Sequence, residues 1–266
     1  MTRRGLAIGA LAGVALLYVA IGVAVAWRLV APQPMAIIAH RGDLSQWPEN
    51  TLESVRAASR TAADGIEFDV HRSGDGTWWL LHDETLDRTT SASGDIGSYT
   101  DARLASLTID GGPGYRGQSG VHLVQLSSVL AELGSYKGRL IIDVKELEPE
   151  AHAAIARTIQ GRPDSYVLCR SVAGASAVKA VDPGLTTIML VNEVWHPDVD
   201  VYLADARFVP QWWQSFWADA GGTLAMFVNA DTGAGLPDEM ALLDEGRRWG
   251  VSFVISNRLD ESLASR

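Results

Sequence analysis

The stretch from Ala39 to Asp83 decides the fold and carries most of the chemistry, in three segments: AHRGDLSQWPENT (39–51), GIEFDV (65–70) and TWWLLHD (77–83). The middle segment is apolar apart from Glu67 and Asp69, which is typical of a buried strand. Side chains alternate between the two faces of a strand, so these two carboxylates point the same way. Carboxylates that face the interior are unfavourable unless they are paired or bind a metal. The pattern therefore predicts a charged site late in this strand.

A hairpin signal follows the strand at residues 73–76, where the sequence is Ser-Gly-Asp-Gly. With the turn centred on Asp75-Gly76, Asp69 lies directly opposite His82, and paired residues share a face. His40 and Arg41 stand at the end of an earlier apolar segment, AIIAH (36–40). The sequence thus predicts a carboxylate pair beside one imidazole, with a His-Arg pair at an earlier strand end.

These motifs resemble those of the glycerophosphodiester phosphodiesterases. The resemblance rests on AHRG (39–42), PENT (48–51), GIEFDV (65–70) and LLHDETLDRTT (80–90), which occur in the expected order, and it resumes at residues 140–145. It implies hydrolysis of glycerophosphodiesters to sn-glycerol 3-phosphate and an alcohol. It also implies that an inserted segment caps the site.

Eight apolar segments alternate with amphipathic ones along the rest of the chain. The predicted strands are 36–40, 65–70, 139–145, 165–170, 185–191, 206–210, 223–228 and 251–256, and predicted helices include 50–63, 149–160, 174–181 and 237–250. This alternation favours a closed (β/α)₈ TIM barrel, in which TWWLLHD is an extra hairpin strand. The segment of about residues 84–124 breaks the rhythm and reads as a small insertion after strand 2.

Composition limits the function classes. The chain has 266 residues, enough for one such barrel, and a formal net charge of −10, which argues against a nucleic-acid partner. An anionic phosphodiester would therefore need a locally positive site, formed by Arg, Lys or a metal. Cys169 is the only cysteine, so the chain forms no internal disulfide.

Residues 1–34 form a membrane anchor and linker in this interpretation, and residues 35–266 form the barrel domain. Arg3 and Arg4 precede an uncharged apolar run, Gly5 to Trp27, which is long enough to span a bilayer. The positive flank favours a single-pass orientation with the barrel outside the cytoplasm. The alternative is a signal peptide cleaved near Ala26, which would release a secreted protein.

Three carboxylates are the predicted metal ligands: Glu67, Asp69 and Asp143. In a barrel all three lie near the carboxyl ends of strands, where active sites are found. Carboxylate oxygens suit a hard divalent cation, so Mg²⁺ or Ca²⁺ is the expected cofactor. The family resemblance implies Glu where Asp143 stands, so the distance from Asp143 to a cation is an open point.

His40 and His82 are the predicted catalytic pair, because phosphodiester hydrolysis needs a general base and a general acid. Which imidazole takes which role stays open at this level, and a structural role for either histidine is the alternative. Arg41 and Lys145 are the predicted phosphate-binding residues, since both are cations beside the carboxylates. The alternative for Lys145 is a salt bridge to Asp143.

The substrate is less well specified than the reaction. The late motifs of the family are altered here, at Met226-Phe227-Val228-Asn229 and at Ser256-Asn257. A lysophospholipase D acting on lysolipids and an inactive membrane-anchored binding protein are therefore the alternatives. A segment at 211–217, rich in Trp, is expected to contact lipid or to fill the barrel-helix layer. No protein partner is inferred.

Overall fold

The structure, a computed structural model, describes residues 35–162, 164–190, 196–205, 223–228, 239–248 and 250–265, all within one compact unit, Met35–Arg266. The strands are β1 Ala36–Ala39, β2 Gly65–Arg72, β3 Trp78–Leu80, β4 Arg139–Val144, β5 Ser165–Cys169, β6 Thr186–Leu190, β7 Val201–Asp205, β8 Thr223–Val228 and β9 Phe253–Ser256. The helices are α1 Leu52–Ala58, α2 Asp101–Ala105, α3 Leu126–Glu132, α4 Pro149–Ile159, α5 Val172–Val181, α6 Glu239–Arg248 and α7 Leu259–Ala264.

Eight of these strands close into a parallel barrel. Each of β1, β2 and β4 to β9 pairs in parallel with the next, and β1 also pairs with β9. Strand β3 is antiparallel to β2 and lies outside the barrel. The described residues therefore confirm a closed eight-stranded parallel barrel with helices, which is consistent with the predicted TIM barrel.

Alternation along the strands separates two apolar layers. Residues that face the barrel interior include Ile38, Ile141 and Leu168, whereas Ile66 and Phe68 belong to the larger layer between the strands and the helices. Because β2 is covered on both faces, Glu67 and Asp69 must point into the barrel rather than into solvent.

The predicted insertion forms a small subdomain with its own core. It contains α2 and a short 3₁₀ helix, Ile96–Ser98, and its apolar cluster includes Trp79, Leu86 and Leu104. The insertion contains no regular barrel units, and this cluster packs it against β3.

Strand β7, the sixth strand of the barrel, begins at Val201, so the prediction of this strand at residues 206–210 was wrong about where it starts. Val201 pairs with Ile188 on one side and with Thr223 on the other. Residues 206–210 themselves lie outside the described residues.

The predicted pairing of Asp69 with His82 was also wrong. Val70 pairs with Leu80 and Arg72 with Trp78, so the backbone amide of Leu81, not of His82, bonds to the Asp69 carbonyl. The turn has five residues, 73–77, closed by the Ser73 amide on the Thr77 carbonyl. An odd loop length shifts the register by one residue from the expected two-residue turn.

Two further predictions fall outside the described residues: the apolar run Gly5 to Trp27 and the Trp-rich segment 211–217. Within the described ranges, no helix combines the length and the apolar character that crossing a membrane requires.

Candidate active site

The predicted site residues lie around one cavity at the carboxyl ends of the strands. The cavity has a volume of about 190 Å³. Its charged half is formed by His40, Arg41, Glu67, Asp69, His82, Asp143, Lys145 and Arg170, and its apolar half by Leu168, Leu190, Leu203, Phe227 and Ile255. All seven residues that the sequence predicted are in the first set.

Two adjacent strands place the three carboxylates together. Glu67 and Asp69 point inward from β2, and the register sets Asp143 of β4 directly beside Asp69. All three are buried, and one carboxylate oxygen from each lies within 4.8 Å of the others. Burial, together with the neighbouring Asp69 and Asp143, raises the pKa of Glu67 well above its ordinary value.

The three carboxylates fit a hard divalent cation. Oxygen ligands at 2.0–2.6 Å from Mg²⁺ or Ca²⁺ lie up to about 4–5 Å from each other. The Oδ1 atom of Asp143 is buried and has no hydrogen-bond partner among the described residues, so it has open lone pairs. Burial is the main cause of the raised pKa of Glu67, with Asp69 and Asp143 adding to it, and a cation bound there would lower this pKa.

The turn after β1 holds Arg41 in a strained conformation. Arg41 has a φ of 56° and Gly42 a φ of 89°, both in the left-handed region. The hydroxyl of Ser54 donates to the Arg41 carbonyl at 3.1 Å, and Ser54 also forms a capping box with Thr51 at the start of α1. The helix terminus therefore fixes the turn, and strain of this kind is common at functional sites.

Arg41 is the centre of a buried ion-pair network. Its Nε atom lies 3.2 Å from Asp69 Oδ2, and its Nη1 donates to Glu49 Oε2 at 2.8 Å. Its backbone amide donates to Glu67 Oε2 at 3.1 Å. The guanidinium is thus held by carboxylates on two sides at the edge of the cavity.

His40 is buried in the wall of the cavity. Its Nδ1 atom forms a hydrogen bond with Asn257 Oδ1, and its Nε2 accepts from Arg41 Nε at 3.1 Å and lies 3.8 Å from Glu67 Oε2. Phe227 packs edge-on against the ring. Burial, reinforced by Arg41, lowers the pKa of His40 well below its ordinary value, so this imidazole is neutral near pH 7.

His82 is more open to solvent. Its side chain is 36% exposed, and its Nδ1 atom lies 2.6 Å from Asp83 Oδ1. His82 follows the end of β3, and His71 Nε2 lies 3.3 Å from its carbonyl oxygen. Burial lowers the pKa of His82, although Asp69 and Asp83 act in the opposite direction.

Asp83 continues the network outward. Arg88 from the insertion donates to Asp83 Oδ2 and to Glu49 Oε1, both at 2.6 Å. Burial opposes ionisation of Asp83, but Arg88 and His82 outweigh it and lower its pKa to about 2. The chain of contacts therefore runs from His82 through Asp83, Arg88 and Glu49 to Arg41.

Lys145 bridges two of the carboxylates. Its Nζ atom lies 2.6 Å from Asp143 Oδ2 and 2.6 Å from Asp69 Oδ1. The salt bridge that was the alternative for Lys145 is thus present. Burial disfavours the ammonium, but Asp69 and Asp143 raise its pKa, so Lys145 stays charged in the cavity wall.

Sequence reasoning missed several residues of the site. Arg88 lies in the motif at residues 80–90 and Asn257 in the altered Ser256-Asn257 ending, but neither was predicted to be a site residue. Arg170 lies in none of the quoted motifs, although it follows β5, as Asn257 follows β9, at the rim where a barrel site forms. Asn50 also belongs to the site, since it donates to Asp69 Oδ2 at 2.7 Å, and the next residue, Thr51, caps α1.

Comparison with known proteins agrees with this geometry. The chain matches the glycerophosphoryl diester phosphodiesterase family over residues 40–189, more than half of its length. A glycerophosphodiester phosphodiesterase from Caldanaerobacter subterraneus is 47% identical over 27% of this chain and 29% of its own length. Human glycerophosphodiester phosphodiesterase 1 is 30% identical over 50% of this chain and 40% of its own length. The chain thus aligns with less than half of these relatives.

Solved structures share the fold. A glycerophosphodiester phosphodiesterase from Agrobacterium tumefaciens superposes with a TM-score of 0.70 at 24% identity, covering 86% of this chain and 99% of that one. An Oleispira antarctica phosphodiesterase in complex with the product sn-glycerol-3-phosphate superposes with a TM-score of 0.74 at 23% identity, covering 86% of this chain and 96% of that one. The fold and the site define a TIM-barrel protein with a buried cluster of carboxylates that could bind a metal ion. The chain belongs to the glycerophosphoryl diester phosphodiesterase family.

Proposed function

We propose that this protein hydrolyses glycerophosphodiesters to sn-glycerol 3-phosphate and an alcohol, with a divalent cation and two histidines. The observation that carries the proposal is the convergence of His40, His82 and three carboxylates on one cavity. Family membership and the product complex of the Oleispira antarctica relative support the same reaction class.

Glu67, Asp69 and Asp143 would hold the cation, because each offers an oxygen to a common point. A divalent cation bound there would polarise the phosphoryl group and offset its charge. Arg41 has a planar guanidinium at the cavity edge, which suits two phosphate oxygens. Lys145 supplies a further positive charge for the same group.

In this proposal His40 is the general base and His82 the general acid. His40 is neutral and buried, and in this proposal its Nε2 lone pair takes the proton of the attacking hydroxyl after Arg41 Nε, which donates to it here, turns to the phosphate. His82 lies at the more exposed side, and its Nδ1 atom is paired with Asp83. Burial lowers the pKa of His82 overall, so the protonated His82 that acts as the acid becomes more populated as pH falls. Its proton goes to the oxygen of the departing alcohol. Over the full reaction one water is consumed, and both histidines regain their starting protonation.

In this proposal the apolar half of the cavity binds the alcohol part of the substrate. Leu168, Leu203 and Phe227 line it, and Leu190 is 36% exposed at its opening. An apolar wall that opens to solvent supports a second candidate, a lysophospholipid whose acyl chain leaves along this wall. This candidate uses the same charged residues.

We further propose that residues Gly5 to Trp27 anchor the protein in a membrane with the barrel outside the cytoplasm. The support is the apolar run and its Arg3-Arg4 flank in the sequence. Protease treatment of intact cells or spheroplasts tests it: the barrel should be digested while a cytoplasmic marker survives. A protein that stays protected, or that is recovered in soluble fractions without its first residues, would contradict the anchor.

An assay with several substrates tests the function. The full-length protein is incubated with glycerophosphocholine, glycerophosphoethanolamine, glycerophosphoglycerol or lysophosphatidylcholine, in chelator and then with Mg²⁺ or Ca²⁺. Released sn-glycerol 3-phosphate is measured with its dehydrogenase. For lysophosphatidylcholine, choline is measured instead.

Turnover of the soluble diesters that disappears in chelator and returns with either cation is the expected result. The same assay is applied to His40→Ala and His82→Ala, which should lose turnover. His122→Ala, which changes an exposed histidine of the insertion, is their matched control. Choline release from the lysolipid alone would favour the second candidate, and no turnover of any diester would overturn both.

A further inference from the structure

The two oxygens of Asp143 have different surroundings. Oδ2 receives two cations, Lys145 Nζ at 2.6 Å and Arg170 Nη2 at 2.7 Å. Oδ1 is buried and has no hydrogen-bond partner among the described residues. Because Oδ2 is already occupied twice, Oδ1 is the oxygen that remains available to a cation beside Glu67 and Asp69.

Arg170 is held in place from the helix layer. It follows β5, and its backbone amide donates to His152 Nε2 at 3.3 Å. His152 lies on α4 and is fully buried, with its Nδ1 atom 3.1 Å from the Glu148 carbonyl oxygen. A Cβ atom added at Gly174 of α5 would come within 3.0 Å of the His152 ring. The ring is therefore tightly packed between two helices, and it anchors the backbone from which Arg170 reaches the cavity.

The length of the Asp143 side chain makes this support necessary. An aspartate has one methylene fewer than a glutamate, so its carboxylate can reach a shared cation in few orientations. A guanidinium on Oδ2 fixes the plane of the carboxylate and directs Oδ1 away from itself. Groups that orient a metal ligand in this way commonly change metal affinity by 10–100-fold.

We propose that Arg170 is a positioning residue of the cation site, which holds Asp143 so that Oδ1 faces the cation. This inference rests on the proposed metal-dependent function. It makes a prediction opposite to that of simple electrostatics. Arg170 is itself a cation, so its removal would tighten cation binding if charge alone mattered. If it positions Asp143, its removal weakens binding.

Calorimetric titration of the full-length protein with Mg²⁺ and with Ca²⁺ tests the inference without any substrate. Arg170→Met should bind the better of the two cations 10–100-fold more weakly than wild type. Arg170→Lys, which restores a donor on a long side chain, should recover part of that loss. Arg103→Met removes an exposed arginine of the insertion and should bind as wild type does.

Thermal unfolding in chelator shows whether each variant is folded, and Arg170→Lys keeps the test decisive if Arg170→Met is not. Unchanged or tighter cation binding in Arg170→Met would overturn the inference, and so would tighter binding in Arg170→Lys. So would a wild-type protein that binds neither cation, whatever its hydrolytic activity.

Kinetics at saturating cation provide a second readout. A positioning role predicts that Arg170→Met regains a near-normal kcat and KM once the cation site is filled. A raised KM that persists at saturation would instead show contact with the substrate and contradict the inference. If wild type binds cations but hydrolyses no glycerophosphodiester, the proposed function fails while the calorimetric test of Arg170 remains valid.

Discussion

His82 Nδ1 lies 2.6 Å from Asp83 Oδ1, and this contact between consecutive residues leaves Nε2 as the ring nitrogen available for proton transfer. The same arrangement, an imidazole oriented by a carboxylate on its other nitrogen, recurs in unrelated hydrolases. Because Arg88 holds Asp83 through both carboxylate oxygens, the inserted subdomain contributes directly to the orientation of His82.

Asp83 is therefore predicted to act as a positioning residue. Asp83→Asn weakens the pairs with His82 and Arg88, so kcat should fall by about 10-fold or more with little change in KM. Steady-state kinetics with a soluble diester measure both. Asp244→Asn, an exposed carboxylate on α6, is the control. A higher KM at unchanged kcat would show that Asp83 serves substrate binding instead.

Substrates with different leaving groups test whether His40 is the general base and His82 the general acid. His40→Ala and His82→Ala should each lose about 10²–10⁴-fold in kcat with an alkyl diester. A nitrophenyl ester of glycerol phosphate has a leaving group that needs no proton, so His82→Ala should recover much of its rate with it. His40→Ala should not recover. Recovery in the opposite variant would exchange the two roles.

Glu67 gives a pH-dependent prediction for the protein in chelator. Its pKa is raised in the folded state by burial and by Asp69 and Asp143, so the folded protein binds this proton more tightly than the unfolded chain. The stability from this group is present below its unfolded pKa and is lost as pH rises through the raised folded value. Glu67→Gln cannot ionise at this position, so the variant does not lose this stability as pH rises.

The free energies of unfolding of wild type and Glu67→Gln in chelator should therefore diverge as pH rises above about 4.5. The variant should become the more stable of the two. Urea unfolding at several pH values measures the gap, and a gap that is constant with pH would contradict the raised pKa. Added cation should reverse the order, because it stabilises wild type through the ionised carboxylate.

Gly42 tests the turn that carries Arg41. Alanine there would have a φ of +89°, and its Cβ would lie 2.5 Å from Ser54 Oγ. Gly42→Ala should lower the free energy of unfolding by more than the roughly 1–3 kcal/mol of backbone strain alone. Gly76→Ala is the matched control, since its φ is +84° and no atom lies within 4 Å of the added Cβ. Equal losses in the two variants would show that the Ser54 contact has no energetic weight.

The sequence by itself determined the barrel and the identity of its charged residues. Eight apolar segments with helices between them leave few ways to bury both faces of every strand, and a closed parallel sheet is the one observed. Side chains two residues apart in a strand lie on the same face, and this is a local property. The common direction of Glu67 and Asp69 could therefore be predicted from their spacing alone.

The hairpin register and the position of β7 depended on tertiary structure. Asp69 does not pair with His82 because the loop has five residues, which moves the register by one position, and the length of the loop was not fixed by the Ser-Gly-Asp-Gly signal. Val201–Asp205 forms β7 by pairing with β6 on one side and β8 on the other, and these partners are distant in sequence.

The outer parts of the site also depended on tertiary structure. Arg88, Arg170 and Asn257 lie far apart in the chain, and even the motifs around Arg88 and Asn257 do not indicate which side chains they contact. They meet the motif residues only because barrel closure brings the ends of β5 and β9 and the insertion to one rim. The sequence determined the residue types that do the chemistry, because these stand in short strand-end motifs. The tertiary structure decided which long-range partners orient them, because those contacts join residues far apart in the chain.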